Sequence, residues 1–231
     1  MLTTALAVAG QGPLVDWSWI WRHTDDIVTL LLQHIKLTAL AVGLGFAISL
    51  VLSLLVIRWR WLYGLVASVA GVLYTIPSLA LFAVLVTVTG PTTTTAETAL
   101  VSYTLLILVR NIVAGLDGVP RDVREAAVGM GLSPVQVLLK VDVPLALPVI
   151  VAGLRVATVT TIGLVTVAAT INVDNLGTFI TDGLKRFFMT PVLLGAVLSI
   201  ALAVVADLAL LGVQRVVAPW SRRTGGAGGG R

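Results

Sequence analysis

Uncharged apolar stretches recur along this chain, each long enough to cross a bilayer and each set off by a short polar interruption. A hydrocarbon core of about 30 Å takes about 20 helical residues. By that measure five membrane-spanning helices are predicted, over 37–57, 62–89, 98–116, 148–171 and 191–213. The first carries Gly43, Gly45, Ser49 and Ser53 at roughly one-turn intervals, which permits close helix packing. The second is interrupted by Thr75-Ile76-Pro77-Ser78, where the proline removes a backbone hydrogen bond and bends the helix. Gly90-Pro91 and the threonines of 92–95 then read as a short outer loop.

Charges inside the spans are few. Arg110 and Asn111 sit near the end of the third span and Arg155 near the start of the fourth. An arginine there is expensive unless it snorkels or meets water or a partner, and snorkelling is the reading preferred for both. Thr158, Thr160, Thr161, Thr166 and Thr170 give the fourth span an interior face, for packing or for a polar path. Asp207 in the fifth reads as a partly solvated, ion-paired carboxylate near the inner surface, with Arg215 eight residues on.

Between the spans, Asp16-Trp17-Ser18-Trp19-Ile20-Trp21-Arg22-His23 alternates aromatics with polar groups as an interfacial belt does. A helix lying at the outer surface is predicted there, anchored in lipid rather than forming a ligand cage. His23 and His34 lack metal-ligand spacing. Residues 172–190 are polar enough for an outer loop with a short amphipathic helix. The N-terminus lacks the positive region of a secretory signal and reads as a loose tail. The expected division is 1–33 as extracytoplasmic tail and interfacial helix, 34–214 as transmembrane domain, and 215–231 as a basic, Gly-rich tail.

Residues 118–148 form the long segment where charges are frequent. Pro120 suits the first turn of a helix. Arg121, Asp122, Arg124 and Glu125 then alternate with Val123, Ala126, Ala127 and Val128, giving a polar face and a small-residue face. Gly129 and Gly131 mark its C-terminal cap. Ser133, Pro134 and Gln136 restart a helix with a capping box. Pro144 and Pro148 are expected to end the segment. Two capped helices in a polar loop between spans suggest a docking element.

Composition removes the soluble classes. The chain is 58% hydrophobic and 11% charged, where soluble domains carry about a quarter charged residues. Its mean hydropathy is +1.04. It has no cysteine, so disulfides and thiolate metal sites are excluded. The net charge of +4 is distributed across a membrane, with no aromatic-interleaved basic patch for nucleic acid. Arg58, Arg60, Arg121, Arg124, Lys140 and the C-terminal arginines fall on one side of the five spans. Arg22, Lys36, Lys185 and Arg186 fall on the other, so the first side is predicted to be cytoplasmic, with the N-terminus outside and the C-terminus inside. No G-x-x-x-x-G-K-[ST] occurs, so nucleotide would be held by another chain.

Glu125-Ala126-Ala127, three intervening residues, Gly131, nine more, and Val141-Asp142-Val143-Pro144 resemble the EAA signature of binding-protein-dependent ABC importer permeases. Thr75-Ile76-Pro77-Ser78-Leu79-Ala80-Leu81 is similar to the TIPSLAL segment of the osmoprotectant permeases for glycine betaine, carnitine and choline. Arg110-Asn111, the segment 144–150 and the segment 153–158 extend the likeness, which covers about 33–214. Where that family has a glycine-rich IGAGGLG, this chain has Ile171-Asn172-Val173-Asp174-Asn175-Leu176-Gly177.

The resemblance implies an all-α type I permease that is a transporter subunit and no enzyme, in a cell membrane. It implies a cytoplasmic ATPase that carries ATP and magnesium, an extracytoplasmic substrate-binding protein, and a second permease copy or a sister permease. It places ATPase docking at Glu125, Ala126, Ala127, Gly131, Leu132, Ser133 and Pro144. An aromatic cage for a quaternary ammonium would belong mainly to the binding protein. Tyr74, Pro77, Phe82, Asn111, Thr161 and Asn172 are the candidates for a pathway or gate; for the aromatics Tyr74, Phe82 and Tyr103, packing is the preferred reading. A methionine or other amino-acid permease is the competing reading within the class. An ion-coupled secondary carrier is the competing class, disfavoured because no internal repeat is visible.

Overall fold

The computed structural model describes residues 14–219, and among these the regular structure is all helical. A short helix, α1 (Trp17–Arg22), leads into α2 (Thr24–Arg58). Then come α3 (Leu62–Thr75), α4 (Ser78–Thr89), α5 (Thr93–Asp117) and the loop helix α6 (Arg121–Gly129). A further turn, α7 (Pro134–Val137), runs through a π turn (Leu138–Asp142) into α8 (Val143–Ala168). The short α9 (Leu176–Arg186) and the long α10 (Met189–Val217) complete the fold. Four helical runs are long and apolar enough to cross a membrane, and the bent pair α3–α4 makes a fifth.

The helix α5 is the centre of the bundle, flanked by α2 and α8. Leu100, Leu108, Val109 and Ile112 of α5 are sealed from solvent. At Gly45 α2 packs so closely on α5 that a Cβ would collide with the Thr104 Oγ1. Ser49 and Ser53 continue that buried seam at one-turn spacing, whereas Gly43 faces open space. The stripe of small residues therefore does serve helix packing, minus one member.

Several boundaries move. The helices overrun the apolar stretches that marked them, because hydropathy reports the hydrocarbon layer while helix geometry continues into polar sequence. The boundary expected at 33/34 falls inside α2, which starts at Thr24. Thr92 is an N-cap and α5 starts at Thr93, so the predicted loop over 92–95 shrinks. At the C-terminal side α10 reaches Val217, past the expected end of the domain at 214. Residues 1–13 and 220–231, read as loose tails, lie outside the described residues.

The prolines met expectation at one place and not at another. At Pro77 the expected interruption is present: the span bends by 95° at a break where Ile76 and Pro77 are both extended (ψ 127° and 132°). The Tyr103 hydroxyl donates to the freed Ile76 carbonyl at 2.5 Å, which stabilises the break. Pro144 and Pro148, by contrast, do not end the loop segment. Residues Pro134–Ile171 form one helical run of 38 residues. The π turn widens the helix just before Pro144, whose ring would otherwise press on the carbonyl one turn back.

Candidate functional site

The loop between α5 and α8 is built from local signals and one long-range tie. Pro120 is the N-cap of α6, one position earlier than expected. The helix ends in a Schellman arrangement around Gly131, whose φ of 85° is left-handed. Gly131 N–H donates to the Val128 carbonyl at 2.9 Å and Leu132 N–H to the Ala127 carbonyl at 3.2 Å. Ser133 then caps α7. Its Oγ accepts from the Gln136 N–H, and its own N–H donates to Gln136 Oε1 at 2.9 Å.

Arg124 holds the loop to the bundle. Its Nε donates to Asp142 Oδ1 at 2.7 Å and its Nη2 to the carbonyl of Leu116 in the last turn of α5. A cation on those C-terminal carbonyls also complements the helix dipole. Ala127 and Val137 are buried beneath the loop. Nearby, Arg60 and Asp117 form a two-pronged pair at 2.6 and 2.9 Å, which keeps the Arg60 guanidinium above its ordinary pKa.

Most other side chains of α6 point away from the bundle. Val123, Glu125, Ala126 and Val128 are exposed, so the predicted small-residue face is divided: Ala127 inward, the others outward. Val128 and Met130 are 61% and 74% exposed, with Val135 and Leu139 beside them in the chain. Exposed apolar side chains that gather into a large patch commonly mark an interaction site. The docking candidates Glu125, Ala126, Gly131 and Ser133 are exposed on this projection, Leu132 is half-buried, and Pro144 lies beyond the π turn at the start of α8.

The six pathway candidates are not brought together. Phe82 and Thr161 are fully buried, and Phe82 belongs to a core with Leu81, Leu100 and Tyr103, so neither lines an open path in this chain. Tyr74 is exposed beside the break, its ring edge-on to Tyr103 at 6.0 Å, and Pro77 is exposed at the break itself. Asn111 bonds the Ile107 carbonyl at 2.8 Å and packs where Gly153 of α8 leaves room. Asn172 lies at the opposite end of the bundle in left-handed conformation (φ 59°), making without glycine the turn that leads to α9. Asn175 then caps α9, its Oδ1 accepting from the Gly177 N–H at 2.7 Å.

Long-range pairs were missed. Arg155 does not snorkel: it grips Asp207 with Nε and Nη2 at 2.8 and 2.7 Å, tying α8 to α10. Gln214 joins them, accepting from Arg155 Nη1 at 3.4 Å and donating to the Pro148 carbonyl at 3.0 Å. Asp207 is ion-paired as expected, but to Arg155, and Arg215 is exposed. Opposite charges in two different spans were the available signal. The hydroxyls of Thr158, Thr166 and Thr170 donate to carbonyls of the preceding turn. Trp17 and Trp21 are exposed as lipid anchoring requires, while Trp19 packs on Phe179 and Phe188.

Comparison with known proteins agrees with this architecture. The chain is 38% identical over 198 residues to the osmoprotectant import permease protein OsmW of Salmonella typhimurium, covering 84% of this chain and 92% of that protein. It is 34% identical over 194 residues to the glycine betaine/carnitine/choline transport system permease protein OpuCD of Bacillus subtilis, covering 84% and 85%. Among solved structures, an inward-facing MetNI methionine ABC transporter chain superposes with a TM-score of 0.74 at 22% identity, over 85% of this chain and 98% of that one. A chain of an amino acid ABC transporter with histidines gives 0.74 at 20% identity, over 87% and 98%. These last two establish the fold of a type I ABC permease and nothing finer. The family model of the binding-protein-dependent transport system inner membrane component matches residues 39–219, and the chain belongs to that family, as a multi-pass inner-membrane transporter subunit and not an enzyme.

Proposed function

We propose that the chain is the permease subunit of an ATP-driven importer of quaternary-ammonium osmoprotectants such as glycine betaine, carnitine, choline and proline betaine. The observation that carries the solute class is the run of relatives named for those solutes, at 38% and 34% identity over most of both chains. The structural neighbours named for methionine and amino acids stand at 22% and 20% and speak for the fold.

The loop of α6 and α7 faces the cytoplasm in this reading, with the N-terminus outside and the C-terminus inside, as the lysine and arginine distribution favours. A groove of the ATPase receives Glu125, Ala126, Ala127, Gly131, Leu132 and Ser133, with Pro144 at the base of the loop. ATP and magnesium are held by that partner. The Glu125 side chain makes no hydrogen bond or ion pair among the described residues and is free to meet a cation across the interface. Closure of the ATPase pair on nucleotide pushes α6, and the Arg124 tie passes the push to α5 and α8. The helical run of 38 residues, about 57 Å at 1.5 Å per residue, carries it to the opposite face. One set of five crossings is too few to enclose a solute path, so a second copy or a sister permease completes it. An external binding protein supplies the solute.

The test is uptake of labelled glycine betaine and, separately, L-methionine in cells lacking their own importers of both. The cells express this chain with its neighbouring genes, and a parallel sample is depleted of ATP. ATP-dependent betaine uptake is the expected result. Methionine uptake alone overturns the solute class, and uptake insensitive to ATP overturns the ABC mechanism in favour of an ion-coupled carrier.

A further inference from the structure

The end of the bundle opposite the docking loop holds a cavity of about 420 Å³ between α1, α2, α9 and the start of α10. Two kinds of side chain converge on it. Trp19 meets Phe179 and Phe188 edge-on at 5.9 and 5.7 Å between ring centroids, with His23 stacked on it at 4.0 Å. Asp26, Asp174 and Asp182 border the same space, opposed there by Arg186. The side chains of Asp26 and Asp174 have no hydrogen bond or ion pair among the described residues, and Asp182 reaches Lys185 only at 4.0 Å. Gln33 lines the cavity with an Oε1 that is buried and without a partner, and it is shared with an adjoining cavity of about 470 Å³ beside Asn172.

Aromatic packing alone would explain the rings, and solvation alone would explain the carboxylates. Neither explains an open, aromatic-walled cavity with an excess of unpaired negative charge. A quaternary ammonium has no N–H to donate, so aromatic rings and carboxylates are what recognise it, and residues of both kinds line this cavity. Arg186 offers a counter-charge for the carboxylate of a zwitterionic solute. We infer that this cavity is a low-affinity receiving site for the quaternary-ammonium head of the transported solute, at the face where the binding protein delivers it. The inference rests on the solute class proposed above. The trimethylammonium group of a choline lipid has the same chemistry, and the test separates the two sources.

The intact permease–ATPase complex is placed in nanodiscs of phosphatidylethanolamine and phosphatidylglycerol without binding protein. Tetramethylammonium chloride is titrated against tryptophan fluorescence, with sodium chloride at equal concentration as control. A saturable change with a midpoint on the order of 1 mM is expected. The isosteric pair Asp26→Asn with Asp182→Asn, both on the cavity rim, is expected to weaken it about fivefold, the loss of two partly solvated charge contacts. Discs containing phosphatidylcholine should give the same midpoint. Absence of a saturable response, or an unchanged midpoint in the Asn pair, overturns the inference. Loss of the response in phosphatidylcholine discs also overturns it, assigning the cavity to a lipid head group. Wild-type uptake keeps the two readings apart. ATP-driven betaine uptake without a saturable response removes the receiving site and leaves the importer standing, whereas absence of any quaternary-ammonium uptake removes both.

Discussion

Arg124 and Asp142 meet at 2.7 Å across the loop, and the same guanidinium reaches the last turn of α5 at Leu116. Three chain segments thus share one side chain. Lysine at position 124 keeps the charge but offers a single point where a planar fork served two acceptors. Arg124→Lys is expected to loosen α6 by about 1 kcal/mol, the low end for such bonds because Arg124 is partly exposed. Hydrogen exchange over residues 121–132 should then run roughly fivefold faster, with the spans unaffected.

Gly131 has nothing within 4 Å of where a Cβ would stand, so only its φ of 85° opposes a side chain. Gly131→Ala should cost about 1–2 kcal/mol and misdirect the loop. Gly131→Asn should retain most uptake, since asparagine tolerates left-handed backbone. Equal uptake by the alanine and asparagine variants would show that the turn itself is not what the loop requires.

Glu125→Lys is expected to insert normally in the membrane and to lower ATP-dependent uptake to roughly a tenth or less. Like charges brought together at an interface cost several kcal/mol. Co-purification of the ATPase with the variant is the second readout, and it should fall in parallel. Wild-type uptake in Glu125→Lys would remove this residue from the docking surface.

How much of this was legible in sequence depends on the range of the interaction. The Schellman turn at Gly131 and the capping box of Ser133 and Gln136 are made within a few residues, and the sequence announces them. The spans were legible as apolar length, but their ends were not: polar sequence such as Thr24, Asp25 and Asp26 continues the helix that hydropathy cuts short. Pro144 was misread because proline speaks of its own missing N–H and says nothing of the π turn that absorbs it. Arg155 was misread because Asp207 lies 52 residues away, and only the packing of α8 on α10 makes them neighbours. Phe82 was named as a pathway candidate with packing the preferred reading, and it lies in the core with Leu81, Leu100 and Tyr103.

Gly177 lets α9 lie against α8, where a Cβ would stand 2.1 Å from the Thr166 carbonyl oxygen. Backbone cannot swing aside as a side chain can. Gly177→Ala is expected to cost about 1–3 kcal/mol by overpacking and to push α9 away from α8. The detergent-solubilised complex should melt at lower temperature, and accessibility of a cysteine placed at position 178 to a soluble thiol reagent should rise.

Asp207→Asn leaves Arg155 charged within a span and without its carboxylate, and reduced folded yield is the expected outcome. Exchanging both residues, Arg155→Asp with Asp207→Arg, should recover part of that yield if attraction between the two is what matters. A double variant no better than the worse single one would point instead to the geometry of Gln214 and the Pro148 carbonyl.

The length of α2 carries a consequence for where chemistry can occur. Its 35 residues span about 52 Å at 1.5 Å per residue, against a hydrocarbon layer of about 30 Å. Tilt absorbs part of that mismatch, and the first turns, with Asp25 and Asp26, have no reason to enter lipid. These turns extend α2 past the length that the hydrocarbon layer needs, and α1 and α9 pack beside them through Trp19, which stacks on His23 and meets Phe179 edge-on. In the orientation proposed above, an external binding protein would meet these helix ends ahead of the spans, and the solute would pass from carrier to permease without crossing lipid.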